Sequence, residues 1–261
     1  VIDPVLDFDP RSGSTATDSI DRAVEVLRKQ GLTLEWILET HAHADHLSGA
    51  QMLKAVAGGR VAIGEGIRDV QSVFGRLFDI AGEVPSDGRQ FDRLLRDGDL
   101  LSLGEAQAEV LATPGHTSDS VSYRVGRHVF VGDSLFRPDY GTARCDFPGG
   151  DARALYRSIS RHYALPAETI LHFCHDYPDD GREPHEHSTV GVQRAANVHC
   201  TAATSLEQFV AMREARDALL ATPNLLIPSI QVNIRAGHLP WPSANGVAYL
   251  KMPINTIGRA K

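Results

Sequence analysis

The run His41-Ala42-His43-Ala44-Asp45-His46 constrains this chain most: four groups able to bind a metal stand within six residues, directly after the apolar Trp36-Ile37-Leu38. Residues two apart on a strand share a face, so a strand ending near Thr40 delivers His41 and His43 side by side as the backbone leaves a sheet. Asp45 and His46 then fall on the turn that follows. Packing imidazoles and a carboxylate so closely is costly without a partner, and a divalent cation satisfies both kinds of group. The competing reading is an exposed polar loop that happens to be rich in histidine.

Three later segments repeat the theme. Thr113-Pro114-Gly115-His116-Thr117 follows an alternating stretch from Ala108 to Ala112, and its Pro and Gly mark a sharp turn that holds His116 at a strand end. Phe130-Val131-Gly132-Asp133 is an apolar strand ending in Gly and a carboxylate, and Ile170 to Asp176 places His175 at another exit. A lone His after a strand is more often a hydrogen-bonded loop residue than a ligand. Four strand exits that all carry His or Asp point to ligands gathered at one sheet edge, on rigid elements.

The rest of the chain reads as alternating helices and strands. A helix is predicted from Thr17 or Asp18 to about Gln30, with Ile20, Ala23, Val24 and Leu27 as its apolar face and Gly31 as its stop. Further helices are expected over residues 49–57 and 66–79, from Asp151 to His162 and from Ser205 to Leu220. Strands are expected at 61–63, 99–103, 106–112, 121–125 and 128–131. Beyond Ser205 the tail reads as that one helix followed by an extended, Pro-rich segment to residue 261, within a single domain.

Composition narrows the class. The 261 residues are 42% hydrophobic and 23% charged, enough for one α/β core. No apolar run approaches the ~20 residues that span a bilayer, so neither a membrane span nor a membrane partner is expected. No basic stripe suggests nucleic acid. Cys145, Cys174 and Cys200 form no C-x-x-C and leave an odd count, which fits free thiols in a reducing compartment and predicts a cytoplasmic protein. Cys174 reads as a small hydrophobe within a strand, and Cys145 as packing or a pocket-bordering thiol. Pro184-His185-Glu186-His187 reads as a solvated surface loop, with adventitious metal binding as the lesser alternative.

In order and spacing, His41, His43, Asp45, His46, His116, Asp133 and His175 resemble the metallo-β-lactamase superfamily pattern H-x-H-x-D-H, then His, Asp and His. The resemblance implies an αββα sandwich with a metal site at one edge, but it leaves the reaction open. A narrower resemblance spans nearly the whole chain. It rests on Val1-Ile2-Asp3-Pro4-Val5, Glu39 to Leu47, Pro114-Gly115-His116-Thr117, Gly141 to Phe147 with its Arg-x-Asp-Phe, and His175-Asp176-Tyr177. These look like the ETHE1-like persulfide dioxygenases.

That likeness implies one Fe(2+) per chain held by His41, His116 and Asp133, with His43, Asp45, His46 and His175 shaping the site unmetallated. Two His and one carboxylate leave positions open on an octahedral ferrous ion, as an oxygenase requires. The implied reaction takes glutathione persulfide and dioxygen to sulfite and glutathione. Tyr177, with Asp45, His46 and His175, is expected to act at the open positions, or else Tyr177 packs beneath its loop. In that group a hairpin of about two strands precedes the counterpart of Val1, so it is expected to be missing here, together with any targeting peptide. A homodimer or higher homo-oligomer is expected.

A formal charge of −7 and a pI near 5.9 repel an anionic tripeptide, so local cations are needed. Arg137, Arg144 and Arg235 are the candidates, each with a structural ion pair as the alternative; Arg144 can also brace the site through Asp146. The runner-up function is a dinuclear zinc thioesterase of the glyoxalase II kind, with two Zn(2+) per chain bridged by Asp133 and a hydroxide. The short tail and the Arg-x-Asp-Phe loop speak against it. A non-enzymatic sensor would need a lost ligand, and none is missing.

Overall fold

The computed structural model describes residues 1–177 and 183–257, which divide into two compact units, Val1–Leu94 with Ala221–Lys261 and Leu95–Leu220. Strands β1 (Val5–Asp9) and β2 (Ser14–Ala16) open the first unit as an antiparallel hairpin. Then come α1 (Asp18–Lys29), β3 (Trp36–Leu38), β4 (Leu47–Ser48), α2 (Ala50–Ala57), β5 (Arg60–Gly64), α3 (Ile67–Leu77) and β6 (Arg93–Leu95). Their strand orders are β2-β1-β4 and β3-β5-β6, and a parallel bridge from Ile2 to Leu38 ties one ribbon to the other. Trp36, Ile37 and Leu38 are all buried, as a strand covered on both faces requires.

The second unit holds β7 (Leu100–Leu103), β8 (Ala106–Ala112), β9 (Val121–Val125), β10 (His128–Phe130), α4 (Ala152–Tyr163), β11 (Ile170–His172), β12 (His187–Thr189), α5 (Val190–Ala196) and α6 (Leu206–Asp217). Its strands form one sheet in the order β12-β11-β10-β9-β8-β7, antiparallel except for the β10–β11 pair. Leu111, Val129 and Leu171 point from that sheet into a core shared with Leu155 and Ile159 of α4 and Phe209 of α6. The caps are local and legible. Asp151 accepts from the amides of Arg153 and Ala154, and Ser205 with Gln208 closes a capping box on α6.

The chain then returns to the first unit as α7 (Leu226–Asn233), where the sequence had suggested an extended tail. The alternation of Gln231, Val232, Asn233, Ile234 and Arg235 reads as period two, yet Leu226, Ile230 and Asn233 share the 3–4 spacing of a buried helical face. Pro228 lies in the first turn, where its missing N–H costs no helical bond. Two further readings are corrected. His187 belongs to β12 and pairs with His172, so the 184–187 stretch is not wholly a surface loop. Cys174 lies past the end of β11 and is half-buried. No helix among the described residues is long and apolar enough to cross a membrane.

Candidate metal centre

In the first unit the ligand run leaves β3 through a braced corner. Asp3 Oδ1 accepts from the Thr40 amide at 2.7 Å, and Asp3 Oδ2 accepts from Thr40 Oγ1 at 2.9 Å. With its proton given to Asp3, Thr40 Oγ1 is an acceptor for His41 Nδ1, 2.9 Å away. A proton on Nδ1 puts the imidazole lone pair on Nε2, so two residues outside the pattern set both the orientation and the tautomer of His41.

His43 is held differently. Its Nε2 stands 3.0 Å from Asp3 Oδ1, and its ring lies between those of His41 and His46, at centroid distances of 3.9 and 4.1 Å. Burial alone would keep the ring neutral, but the Asp3 carboxylate outweighs it and lifts His43 to about 10. Burial also opposes ionised Asp3, yet His43 and the two Thr40 bonds bring that carboxyl down to about 2. Glu39, buried beside them and facing the Asp3 charge, rises to about 8, with its Oε1 accepting from Ser48 Oγ. Burial and the neighbouring His43 charge lower His46 to about 4, and its Nδ1 lies 3.2 Å from the Leu47 carbonyl. Asp45 is exposed.

Asn233 of α7 pins the run from behind. Its Nδ2 donates to the carbonyls of His43 and His46 at 2.8 and 2.9 Å, and its Oδ1 accepts from the Ser48 amide at 2.7 Å. Asn233→Ala leaves these buried groups without their bonds and is expected to cost about 2–4 kcal/mol, read as a lowered midpoint in urea. An unchanged midpoint would show that the loop holds itself.

In the second unit His116, Asp133 and His175 meet. Asp133 Oδ2 lies 3.7 Å from His116 Nε2, and Asp133 Oδ1 lies 3.6 Å from His175 Nε2. Both spacings are too long for hydrogen bonds and suit ligands spread around a cation. The Arg144 carbonyl, 2.8 Å from His116 Nδ1, can only accept, so Nε2 carries the lone pair. Phe147 packs edge-on against the same ring.

The turn before His116 depends on Gly115. Its φ is +143°, and a Cβ there would stand 2.3 Å from the backbone of Leu155 in α4. Ser158 Oγ donates to the Pro114 carbonyl and the Asp151 amide to the Gly115 carbonyl, so the turn and the start of α4 form one piece. Gly115→Ala is expected to destabilise by about 3 kcal/mol or more, read as a fall in thermal midpoint. A midpoint within a degree of the parent would show that α4 can back away.

The candidate cations have partners. Arg144 makes a two-pronged pair with Asp146 at 2.6 and 2.7 Å, the bracing alternative, while its carbonyl orients His116. Arg235 is buried, with Nη2 on Glu83 at 2.8 Å and Nη1 on the Gln231 carbonyl, which is the structural ion pair. Arg137 pairs with Asp139 at 3.1 Å. Tyr177 is exposed and stacks on Tyr140 at 4.6 Å, with His175 5.6 Å away. The Gly141–Phe147 loop is fastened to α6: Asp217 accepts from the Cys145 amide, and Arg213 joins Asp217 to the Thr142 carbonyl. Burial and the Asp217 charge push the Cys145 thiol upward, so it packs as a thiol, not a reactive thiolate.

Asp3, Thr40 and Asn233 are the functional residues that pattern reading missed. Asp3 and Thr40 stood in segments shared with the ETHE1-like group, but no spacing rule links residue 3 to residue 40.

The family model of the Metallo-beta-lactamase superfamily matches residues 8–175. A "Probable metallo-hydrolase" of Burkholderia pseudomallei is 51% identical over 98% of this chain and 91% of its own length. A "Beta-lactamase hydrolase-like protein" of Xylella fastidiosa is 48% identical over 98% of the chain, which spans 59% of that relative's length. The human "Persulfide dioxygenase ETHE1, mitochondrial" is 30% identical over 91% of this chain and 78% of its own. Among solved structures, ETHE1 from Myxococcus xanthus is similar with a TM-score of 0.70 and 30% identity, covering 91% of this chain and 88% of that one.

The chain therefore belongs to the metallo-beta-lactamase superfamily and has its αββα fold. It is a metal-dependent member of that class, with its His and Asp ligand pattern intact.

Proposed function

We propose that the chain is a single-metal persulfide dioxygenase, in which His41, His116 and Asp133 hold one ferrous ion. The observation that carries this reading is the likeness to ETHE1 chains, at 30% identity over 91% of this chain and a TM-score of 0.70. Asp3, 3.0 Å from His43 Nε2, orients that ring as a carboxylate orients an imidazole whether or not it binds a metal, so the metal count is decided by the experiment below. A ferrous ion on two imidazoles and a carboxylate supplies open positions for a sulfur donor and for dioxygen.

The chain's own residues do the rest. Thr40 and the Arg144 carbonyl each hold a ligand ring through Nδ1. Phe136, Tyr140 and Tyr177 form an aromatic wall beside His175 that can exclude water from a sulfur substrate. The Tyr177 hydroxyl is suited to hydrogen-bond the substrate sulfur or the sulfite being formed. One persulfide, one dioxygen and one water balance to one glutathione and one sulfite. Likeness to the ETHE1 chains over more than nine-tenths of this chain supports the reading.

A second reading is metal-dependent hydrolysis of a glutathione thioester with two zinc ions; the names of the relatives at 48–51% identity, a metallo-hydrolase and a hydrolase-like protein, favour hydrolysis as the reaction type. Asp133 also faces His116 with one oxygen and His175 with the other, as a bridging carboxylate would. Metal analysis of protein made in iron-rich medium decides between them, paired with oxygen uptake on glutathione persulfide and cleavage of lactoylglutathione. About one iron per chain with oxygen uptake is expected. Two zinc ions with thioester cleavage and no oxygen uptake would replace the first reading by the second. In either case the substrate is an anionic thiol conjugate, and no membrane or nucleic acid is involved.

A further inference from the structure

In the second unit one peptide bond joins a candidate ligand to a buried carboxylate far along the chain. The Arg144 carbonyl accepts from His116 Nδ1 at 2.8 Å, and the Cys145 amide donates to Asp217 Oδ2 at 2.8 Å. That carbonyl and that amide belong to the same planar unit. The peptide is trans, so its C=O and N–H point in opposite directions, and Asp217 stands behind the bond that His116 makes in front. Asp217 is itself fixed by Arg213, one turn earlier on α6, whose Nε and Nη2 both reach Oδ1, at 2.9 and 2.7 Å. Both side chains are buried. The same guanidinium donates from Nη1 to the Thr142 carbonyl at 3.1 Å, and the Thr142 amide donates to His199 Nδ1 at 2.9 Å, so the segment is anchored on both sides of Arg144. Gly141 admits this approach, because its φ is +100° and a Cβ there would run into the His199 ring.

We propose that Asp217, held by Arg213, is a positioning residue for the metal, acting on His116 through the Arg144–Cys145 peptide. This rests on His116 as a metal ligand, an assignment the iron and the zinc readings share. A ligand imidazole takes its tautomer, its rotation and part of its basicity from the partner on its other nitrogen. In many sites that partner is a carboxylate. Here it is a main-chain carbonyl, which no change of side chain at residue 144 removes, and the carboxylate lies one peptide further back. A charge that accepts the amide proton polarises the whole unit and makes its oxygen a stronger acceptor, so the Asp217 charge is felt at His116 Nδ1. Arg213 is suited to the task because a planar guanidinium can hold a carboxylate oxygen and a carbonyl at once, which a lysine cannot. A buried ion pair is weak evidence of stabilisation, since desolvation offsets its attraction, and this one is instead explained by the orientation it imposes.

The test sets the Co2+-loaded full chain against a competing chelator and follows the visible absorption of the bound ion. Arg213→Met combined with Asp217→Val replaces the buried pair as a whole by apolar residues, a kind of change that often costs no stability, and leaves the Cys145 amide without its acceptor. This double variant is expected to hold Co2+ about 10- to 100-fold more weakly than the wild type, with a shifted visible band. A packing role alone would lower the thermal midpoint and leave affinity and band where they were. Asp217→Asn keeps the acceptor oxygen and drops only the charge, so a smaller weakening in the same direction is expected, and it decides the matter if the double variant folds poorly. His116→Ala is expected to bind more weakly than either; wild-type affinity there would overturn the ligand assignment and the proposal with it. Weakened binding in His116→Ala beside wild-type affinity and band in the folded double variant, or in Asp217→Asn where the double does not fold, would overturn the proposal alone.

Discussion

Asp3→Ala is expected to lower the thermal midpoint of the metal-free protein by about 10 °C and to weaken metal binding 10- to 100-fold. Asp3 lies outside the ligand pattern, yet it holds two elements of it. It accepts both Thr40 bonds and faces the buried His43 ring at 3.0 Å. Removing one partner of a buried pair costs about 3–5 kcal/mol, because the other charge is left uncompensated. Losing the Thr40 anchor also frees the hydroxyl that orients His41 Nδ1.

The effect has a pH signature. His43 is raised from 6.5 to about 10, so its share of the stability is full below pH 6.5 and is lost as pH climbs towards 10. Asp3 is lowered from 3.8 to about 2, so its share is present above pH 3.8 and is lost as pH falls towards 2. The gap in midpoint between wild type and Asp3→Ala is therefore widest between those two limits and narrows on the alkaline side. A gap that stays constant from pH 5 to 10, or an Asp3→Ala protein as stable as the parent, would remove the ion pair from the account.

His41→Ala is expected to strip the protein of iron, whereas His43→Ala retains most of it. The two rings are neighbours 3.9 Å apart, so proximity does not separate them. Nor do their hydrogen bonds alone, since Thr40 holds His41 through Nδ1 and Asp3 holds His43 through Nε2, each leaving the other ring nitrogen for a metal. The distinction rests on the single-iron ligand set proposed above, in which His41 binds and His43 does not. Removing a direct ligand is expected to cost more than the 10- to 100-fold typical of an outer partner. Iron per chain measured on both variants after identical loading checks this. Equal loss from both would mean that His43 also binds the metal, and would move the function towards the two-metal hydrolase.

How much of this was legible varies from residue to residue. His41, His43, Asp45, His46, His116, Asp133 and His175 were readable because each follows an apolar strand at a Gly, Pro or polar exit, and such signals are local. Helices α4 and α6 were readable through their caps and apolar faces, and α1 through its apolar face alone, since the expected cap at Thr17 makes no side-chain bond to the helix amides. Helix α7 was not, because eight residues rich in Ile, Val and Leu satisfy either period until their neighbours are known. Arg144 and Arg235 were legible as cations but not as the partners of Asp146 and Glu83.

What the chain's sequence determined by itself was the class: strand exits carrying a metal pattern whose order admits one superfamily. What only the tertiary structure decided was the division of labour within that pattern. Asp3, 37 residues before Thr40, and Asn233, 190 residues after His43, reach the ligand run through folding alone. The orientation and protonation of an imidazole depend on what lies within about 3 Å of each ring nitrogen, and for His41 and His43 those partners are set by the packing of distant segments.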